Sequence, residues 1–157
     1  CAKVWPSALR RRPEARFTIY GFQPTAPVLA LANGKGIELV ADLPDLRAVV
    51  ARQAVVVLPF VSGGGIKNKL LEAASMGKAI LCTPRACTGL AEGERPFQVC
   101  RHPGAWVESL LRLWSSEDAR RRLGEDARRW VTTSHTWQAA ARIALAGLDD
   151  SLQRAGR

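Results

Sequence analysis

The chain is short of acid, of aromatic side chains and of metal-binding residues. Of its 157 residues 14 are acidic, 6% are aromatic and 2 are histidines. No apolar run approaches the roughly 18–20 residues that a membrane-spanning helix needs, which excludes a transmembrane anchor within this sequence. The opening stretch "CAKVWPSALRRRPEARF" lacks the apolar segment and small-residue cleavage site of a signal peptide, and none is expected. Four cysteines (Cys1, Cys82, Cys87, Cys100) form no C-x-x-C pair and no zinc spacing, so reduced thiols in a cytosolic protein are expected. His102 and His135 stand alone and there is no Asp-x-Asp cluster, so no metal and no cofactor are expected. The string "GGGIKNK" does not fit G-x-x-x-x-G-K-[ST], which excludes a P-loop, and it lacks the G-x-G-x-x-G order of a dinucleotide fingerprint.

What is abundant is positive charge. The formal net charge is +9, from 23 basic and 14 acidic residues, and favours anionic partners. The basic clusters are Arg10 to Arg12, Arg120 to Arg122, and Arg128 with Arg129. Each lies on a predicted helix that also carries a core stripe, so a solvated helix face is the first reading. An anionic membrane surface is the second. No basic stretch is interleaved with stacking aromatics, and no nucleic-acid partner is expected.

Hydrophobic residues make up 47% of the chain, the composition of one folded domain. Residues 3–12 read as a short amphipathic helix stopped by Pro13, and "RFTIYG" (16–21) as a strand. "APVLALANG" (26–34) reads as a helix, "GIELVA" (36–41) as a strand, and Asp45 can cap a helix through Arg52. "AVVVLPF" (54–60) and "KAILCT" (78–83) show no polar alternation, as expected of strands covered on both faces of a parallel sheet. Helix 66–76 between them ends at Gly77, and "PFQVC" (96–100) reads as one more short strand. This order predicts an α/β fold with a doubly wound parallel sheet in about residues 1–102. Beyond 103 the spacing is helical, with stripes through Trp106, Leu110 and Leu113, through Ala119, Leu123, Ala127 and Trp130, and through Trp137, Ala141, Ala144, Leu148 and Leu152. The tryptophans read as core anchors. A fold of this kind begins with a strand, whereas this sequence opens at Cys1 within a helix, so a single-domain fragment (1–157) with its first strand cut away is expected.

The most informative stretch is "VSGGGIKNKLLEAASMG". In open parallel sheets ligands bind outside the carboxyl ends of the strands. Here a glycine loop at such an end leads straight into a helix, whose free N–H groups and positive pole favour an anion. Gly63, Gly64 and Gly65 would let the backbone approach a phosphate closely. Lys67 and Lys69 are expected in the first turn, where each cation costs about 0.3–1 kcal/mol when exposed. A bound diphosphate would reverse that sign. The competing reading is solvated lysines, with Lys69 paired to Glu72.

At these residues a resemblance becomes specific. "LPFVSGGGIKNKLLEAASMGKAILCTP" resembles the carboxyl-terminal half of GT-B fold glycosyltransferases of family four, in particular bacterial sugar transferases with a "GGGIKNKvLEAmAmGkpvV" signature. The likeness runs back through "RRRPEARFTIYG" and forward to "SHTW", and is strongest over 54–83. It implies a Rossmann-like domain that binds a nucleoside diphosphate sugar. It implies that Glu72 holds the ribose hydroxyls, and that the helix start around Gly64, Gly65 and Ile66 faces the diphosphate and sugar. The "ADLPD" loop (41–45), with Leu43 and Pro44, would bracket the base, and Arg85 in "TPRACTGLAEG" (83–93) could add a phosphate contact. The chain departs from the E-x-F-G-x-x-x-x-E pattern of many relatives, having Gly64 where the first glutamate would stand. The donor sugar is therefore not assignable by likeness, and no catalytic residue is assigned. Retention of configuration, a role in bacterial surface polysaccharide assembly, and a place in the cytoplasm or at the inner membrane face are further implications. So is an acceptor domain elsewhere in the same protein, without which this chain should transfer nothing. Two alternatives are a non-enzymatic nucleotide-binding or regulatory module and a GT-B sugar-nucleotide epimerase. A receiver-like module needs acidic strand ends, where this chain has glycine, proline and lysine.

Overall fold

The computed structural model describes residues 2–90 and 95–155. Helix α1 (Trp5–Arg11) stops where expected, because Arg12 precedes Pro13 and takes a non-helical backbone (φ −141°, ψ 80°). Strand β1 (Phe17–Gly21), helix α2 (Ala26–Leu29) with a tighter turn over Ala30–Asn33, and strand β2 (Ile37–Ala41) follow. Then come α3 (Arg47–Ala51), β3 (Val56–Leu58), α4 (Asn68–Ser75), β4 (Ile80–Cys82) and β5 (Gln98–Val99). The chain ends in α5 (Pro103–Ser115), α6 (Glu117–Ser134) and α7 (Trp137–Ala155).

All strand pairs are parallel, as the strand–helix order requires, but they form two sheets rather than one. β1 pairs with β2, and β3, β4 and β5 pair in that order. The doubly wound arrangement is plain in the second sheet. Leu58, Ile80 and Cys82 face α4 and α6, where Leu70, Ala73, Ala74, Ala127 and Val131 close one core. Leu81 faces the other way with Val55 and Val57, into a core shared with Trp5 and Ala8 of α1 and Leu110 and Leu113 of α5. Phe17 and Ile37 of the first sheet reach that same layer. One apolar layer thus spans both sheets.

Several of the clustered arginines bond within their own helix or to the end of the one before. Arg120 donates to the last carbonyls of α5, at Leu113 (2.6 Å) and Trp114 (3.2 Å). Arg121 pairs with Asp118 and Glu125, and Arg129 with Asp126. Ser116 caps α6 by accepting from the Ala119 N–H, and Glu117 and Asp118 suit its positive end. His102 likewise caps α5, its Nδ1 accepting from the Ala105 N–H.

The tryptophans divide. Trp5 is buried against Phe17 and Trp114, and Trp130 packs edge-on to Phe97. Trp137 is not a core anchor: it is 90% exposed, and Ile143, Leu145, Leu148 and Leu152 along α7 are exposed with it. The helical spacing there is real, but no described element covers the stripe. Among the described residues no helix is long and apolar enough to cross a membrane.

Candidate functional site

The candidate site lies where β3 leaves its sheet. Thr83, just after β4, donates its hydroxyl to the Phe60 carbonyl (2.6 Å) and pins the exit of β3. The glycine loop that follows is open to solvent from Val61 through Ile66. Gly63 (φ +91°) and Gly65 (φ +64°) occupy left-handed backbone that side chains resist. Gly64 does not, and among the described residues no atom beyond its chain neighbours lies within 4 Å of the place where its Cβ would stand. No described residue demands a glycine at 64.

The lysines are not placed as the sequence suggests. α4 begins at Asn68, so Lys67 is the N-cap, with extended backbone (φ −93°, ψ 103°), and only Lys69 stands in the first turn. Lys67 bends back over the loop, its Nζ donating to the carbonyls of Gly64 (2.6 Å) and Gly65 (3.0 Å). Two carbonyl dipoles therefore offset the cost of this cation near the helix pole. Lys69 and Glu72 are both exposed, and among the described residues they form no ion pair with each other.

The loop after β4 completes one wall. Pro84–Cys87 make a single tight helical turn that leaves Arg85 exposed, without an ion pair among the described residues. Beneath it the thiols of Cys82 and Cys87 lie 3.7 Å apart. The contact between the two thiols pulls the pKa of Cys87 down to about 7, helped by the Arg95 guanidinium, while the same contact pushes that of Cys82 upward. Gly89 (φ +86°) presses against the glycine loop so closely that a Cβ would stand 3.0 Å from the Gly65 carbonyl carbon and the Ile66 nitrogen. Gly89 lies in the 83–93 loop, and nothing in its local sequence marks this contact. Residues 91–93 of the 83–93 loop lie outside the described residues.

Further along the first sheet, the loops after β1 and β2 are tied together. The Gln23 N–H donates to Asp42 Oδ1 (2.8 Å), and both residues have positive φ (44° and 55°). This fixes the start of the "ADLPD" loop, with Leu43 half-buried and Pro44 exposed. Asp45 accepts the Arg47 N–H (2.9 Å) but is not the cap expected of it: the N-cap of α3 is Leu46, and the helix ends at Ala51 with Arg52 as its C-cap. No hydrogen bond joins Leu43 or Pro44 to the glycine loop among the described residues. Nor does any group of three or more His, Cys, Asp or Glu gather there in a way that could hold a metal.

The exit of β3, the glycine loop, the start of α4 and the loop after β4 thus meet at one end of the second sheet. The model described as glycosyl transferases group 1 matches residues 1–116. The chain belongs to the group 1 glycosyl transferases. The matched segment runs from α1 to the end of α5 and contains the whole glycine loop, α4 and the loop after β4. No curated protein matches the chain. Membership of the group 1 glycosyl transferases implies transfer of a glycosyl unit from a donor to an acceptor.

Proposed function

We propose that this chain is the donor-binding half of a GT-B fold glycosyltransferase and holds a nucleoside diphosphate sugar at the start of α4. One observation carries the reading: Gly64 is a glycine that none of the described residues requires, on the open side of a loop at a helix N-terminus. Absence of a Cβ there matters only to something that approaches from outside. The free N–H groups of Ile66 to Lys69 and the positive helix pole favour the diphosphate. Lys69 would face it from the first turn, and Lys67 can turn from the Gly64 and Gly65 carbonyls to a phosphate oxygen while the backbone stays in place. Glu72, one turn along α4 and exposed, would accept from the ribose hydroxyls. Leu43 and Pro44 would flank the base, and Arg85 would add a second cation to the diphosphate.

The chemical demand in such a transfer is to stabilise the departing diphosphate. Oriented N–H groups and ammonium ions do this without a metal, because they are fixed before charge develops. The acceptor site and a retaining mechanism belong to the remainder of the proposal, with an acceptor domain in the same protein and a role in surface glycan assembly at the cytoplasmic membrane face.

The test is titration of the chain with UDP, GDP and ADP, followed by amide chemical shifts. Shifts concentrated at residues 63–69, with Glu72→Ala weakening the nucleoside diphosphate more than inorganic pyrophosphate, are expected. Shifts absent from that loop for all three nucleotides would overturn the assignment.

A further inference from the structure

Cys82 and Cys87 are both free, and their sulfurs lie 3.7 Å apart in the core between the second sheet and α4. The two are held differently. Cys82 is a strand residue, level with Leu58 of β3 and Val99 of β5, and its carbonyl accepts the Cys100 N–H. It cannot move without the sheet. Cys87 closes the turn Pro84–Cys87, whose backbone bonds run only to near neighbours: Ala86 to Thr83, Thr88 to Arg85 and Leu90 to Cys87. Thr88 and Gly89 beside it are exposed. Such a turn opens locally at little cost, which admits a small reagent to a thiol otherwise only 2% exposed. Cys100 belongs to the opposite core, where its sulfur meets Ser109 Oγ (3.6 Å) and the Ala105 carbonyl (3.7 Å).

We infer that Cys82 and Cys87 are a modification site, a dithiol that a hydroperoxide oxidises to a disulfide, and that closing it moves the glycine loop through Gly89. Cys87 is the attacking sulfur. With its pKa drawn down to about 7 by Cys82 and Arg95, a large share of it is thiolate at neutral pH, whereas Cys82 stays a thiol. The Cys87 sulfur attacks the peroxide: an S–O bond forms, the O–O bond breaks, and the alkoxide takes up the proton that Cys87 had lost. Cys87 is then a sulfenic acid. The Cys82 sulfur attacks it, an S–S bond forms, and the hydroxide leaves with the Cys82 proton as water. The two thiols together lose two electrons, and the hydroperoxide is reduced to an alcohol and water. A disulfide needs its sulfurs about 2 Å apart. With Cys82 fixed, Cys87 must make up the difference. Gly89, two residues on, lies too close to Gly65 and Ile66 for that movement to stop before the glycine loop. This inference rests on the thiols and the Gly89 contact and is independent of the donor-site reading.

The experiment oxidises the full chain. Reduced protein is treated with hydrogen peroxide at neutral pH, remaining thiols are alkylated, and the digest is read by mass spectrometry. Trypsin cuts after Arg85, between the two cysteines, so a bridge holds residues 79–85 to the peptide carrying Cys87 until it is reduced. The expected result is a bridge in the folded chain, placed by fragmentation at Cys87 rather than Cys100. Amide shifts at Gly65 and Ile66 should accompany it and be reversed by dithiothreitol. Cys82→Ser halts the reaction after its first step, and a sulfenic-acid trap should label Cys87 there at least about ten-fold more than Cys82 in Cys87→Ser. No bridge in the folded chain, a bridge that forms only in urea, or one joined to Cys100 overturns the inference. So does a Cys82–Cys87 bridge that leaves Gly65 and Ile66 unshifted, and so does equal trapping in the two variants.

Discussion

Gly89 and Gly65 touch backbone to backbone, so the loops leaving β4 and β3 are packed as one surface. The contact leaves no room for a side chain, and the backbone of Gly89 (φ +86°) independently resists one. Gly89→Ala should therefore displace residues 64–66 and lower stability by about 1–3 kcal/mol, the usual cost of overpacking. Urea unfolding measures the loss, and amide shifts at Gly65 and Ile66 locate it. Unchanged shifts there would mean that the two loops move independently.

The two lysines should part company when truncated. Lys67→Ala removes the bonds to the Gly64 and Gly65 carbonyls and should cost about 0.5–1.5 kcal/mol of unliganded stability. Lys69→Ala removes an exposed cation from the first turn of α4 and should leave stability equal or raise it by about 0.3–1 kcal/mol. Equilibrium unfolding at low salt separates them. Equal losses from both would show that Lys69 also has a structural partner.

Behind the site, α6 crosses the end of α4 at a contact tighter still. A Cβ on Gly124 would stand 2.0 Å from the Gly77 carbonyl oxygen, which is backbone and cannot swing away. Gly124→Ala should gain about 1 kcal/mol of helix propensity and lose more than that through the forced separation of the helices. The expected net effect is a lower unfolding midpoint, and an unchanged or higher one would show that the helices can part freely.

His135 makes stability depend on pH in one direction. Its ring lies edge-on to Trp130 at 4.0 Å, its Nε2 is buried with no partner among the described residues, and burial lowers its pKa below 6.5. The unfolded chain then binds the proton first as pH falls. Stability should be full above 6.5 and decline as pH drops through the folded value. His135→Phe, which keeps a ring and removes the proton, should flatten the unfolding midpoint between about pH 7 and 5.5. An unaltered slope would assign it to other groups.

The parts of this fold legible in the sequence are those fixed by local chemistry. Pro13 ends α1, Gly77 (φ +65°) ends α4, and unbroken apolar runs mark β3 and β4. The glycine loop was legible because a strand, a loop and a helix start follow in one string. α4 starts at Asn68 rather than at 66, a shift of two residues that moves Lys67 from the first turn to the cap. The bonds of its ammonium to the Gly64 and Gly65 carbonyls are side-chain geometry, which spacing does not encode. The α7 stripe deceived for another reason: period reports a face, and Trp137 shows that a face need not be covered. Gly89 and Gly124 were invisible because what they permit is a contact between distant segments.

Gly64 offers the sharpest separation of fold from function. Its φ is not positive and no described residue crowds it, so Gly64→Ala should change unliganded stability by no more than about 0.5 kcal/mol. Its neighbours differ: Gly63→Ala and Gly65→Ala force a side chain into left-handed backbone and should each cost about 1 kcal/mol. If a diphosphate approaches the open side of the loop, the added methyl at 64 stands between it and the helix N–H groups. Affinity for the nucleoside diphosphate should then fall about ten-fold or more, a loss near 1.4 kcal/mol, with the unfolding midpoint unmoved. Calorimetric titration beside urea unfolding gives both numbers. Binding unimpaired in Gly64→Ala would mean that the ligand does not approach by this face, and the donor site would have to be sought elsewhere along the strand exits.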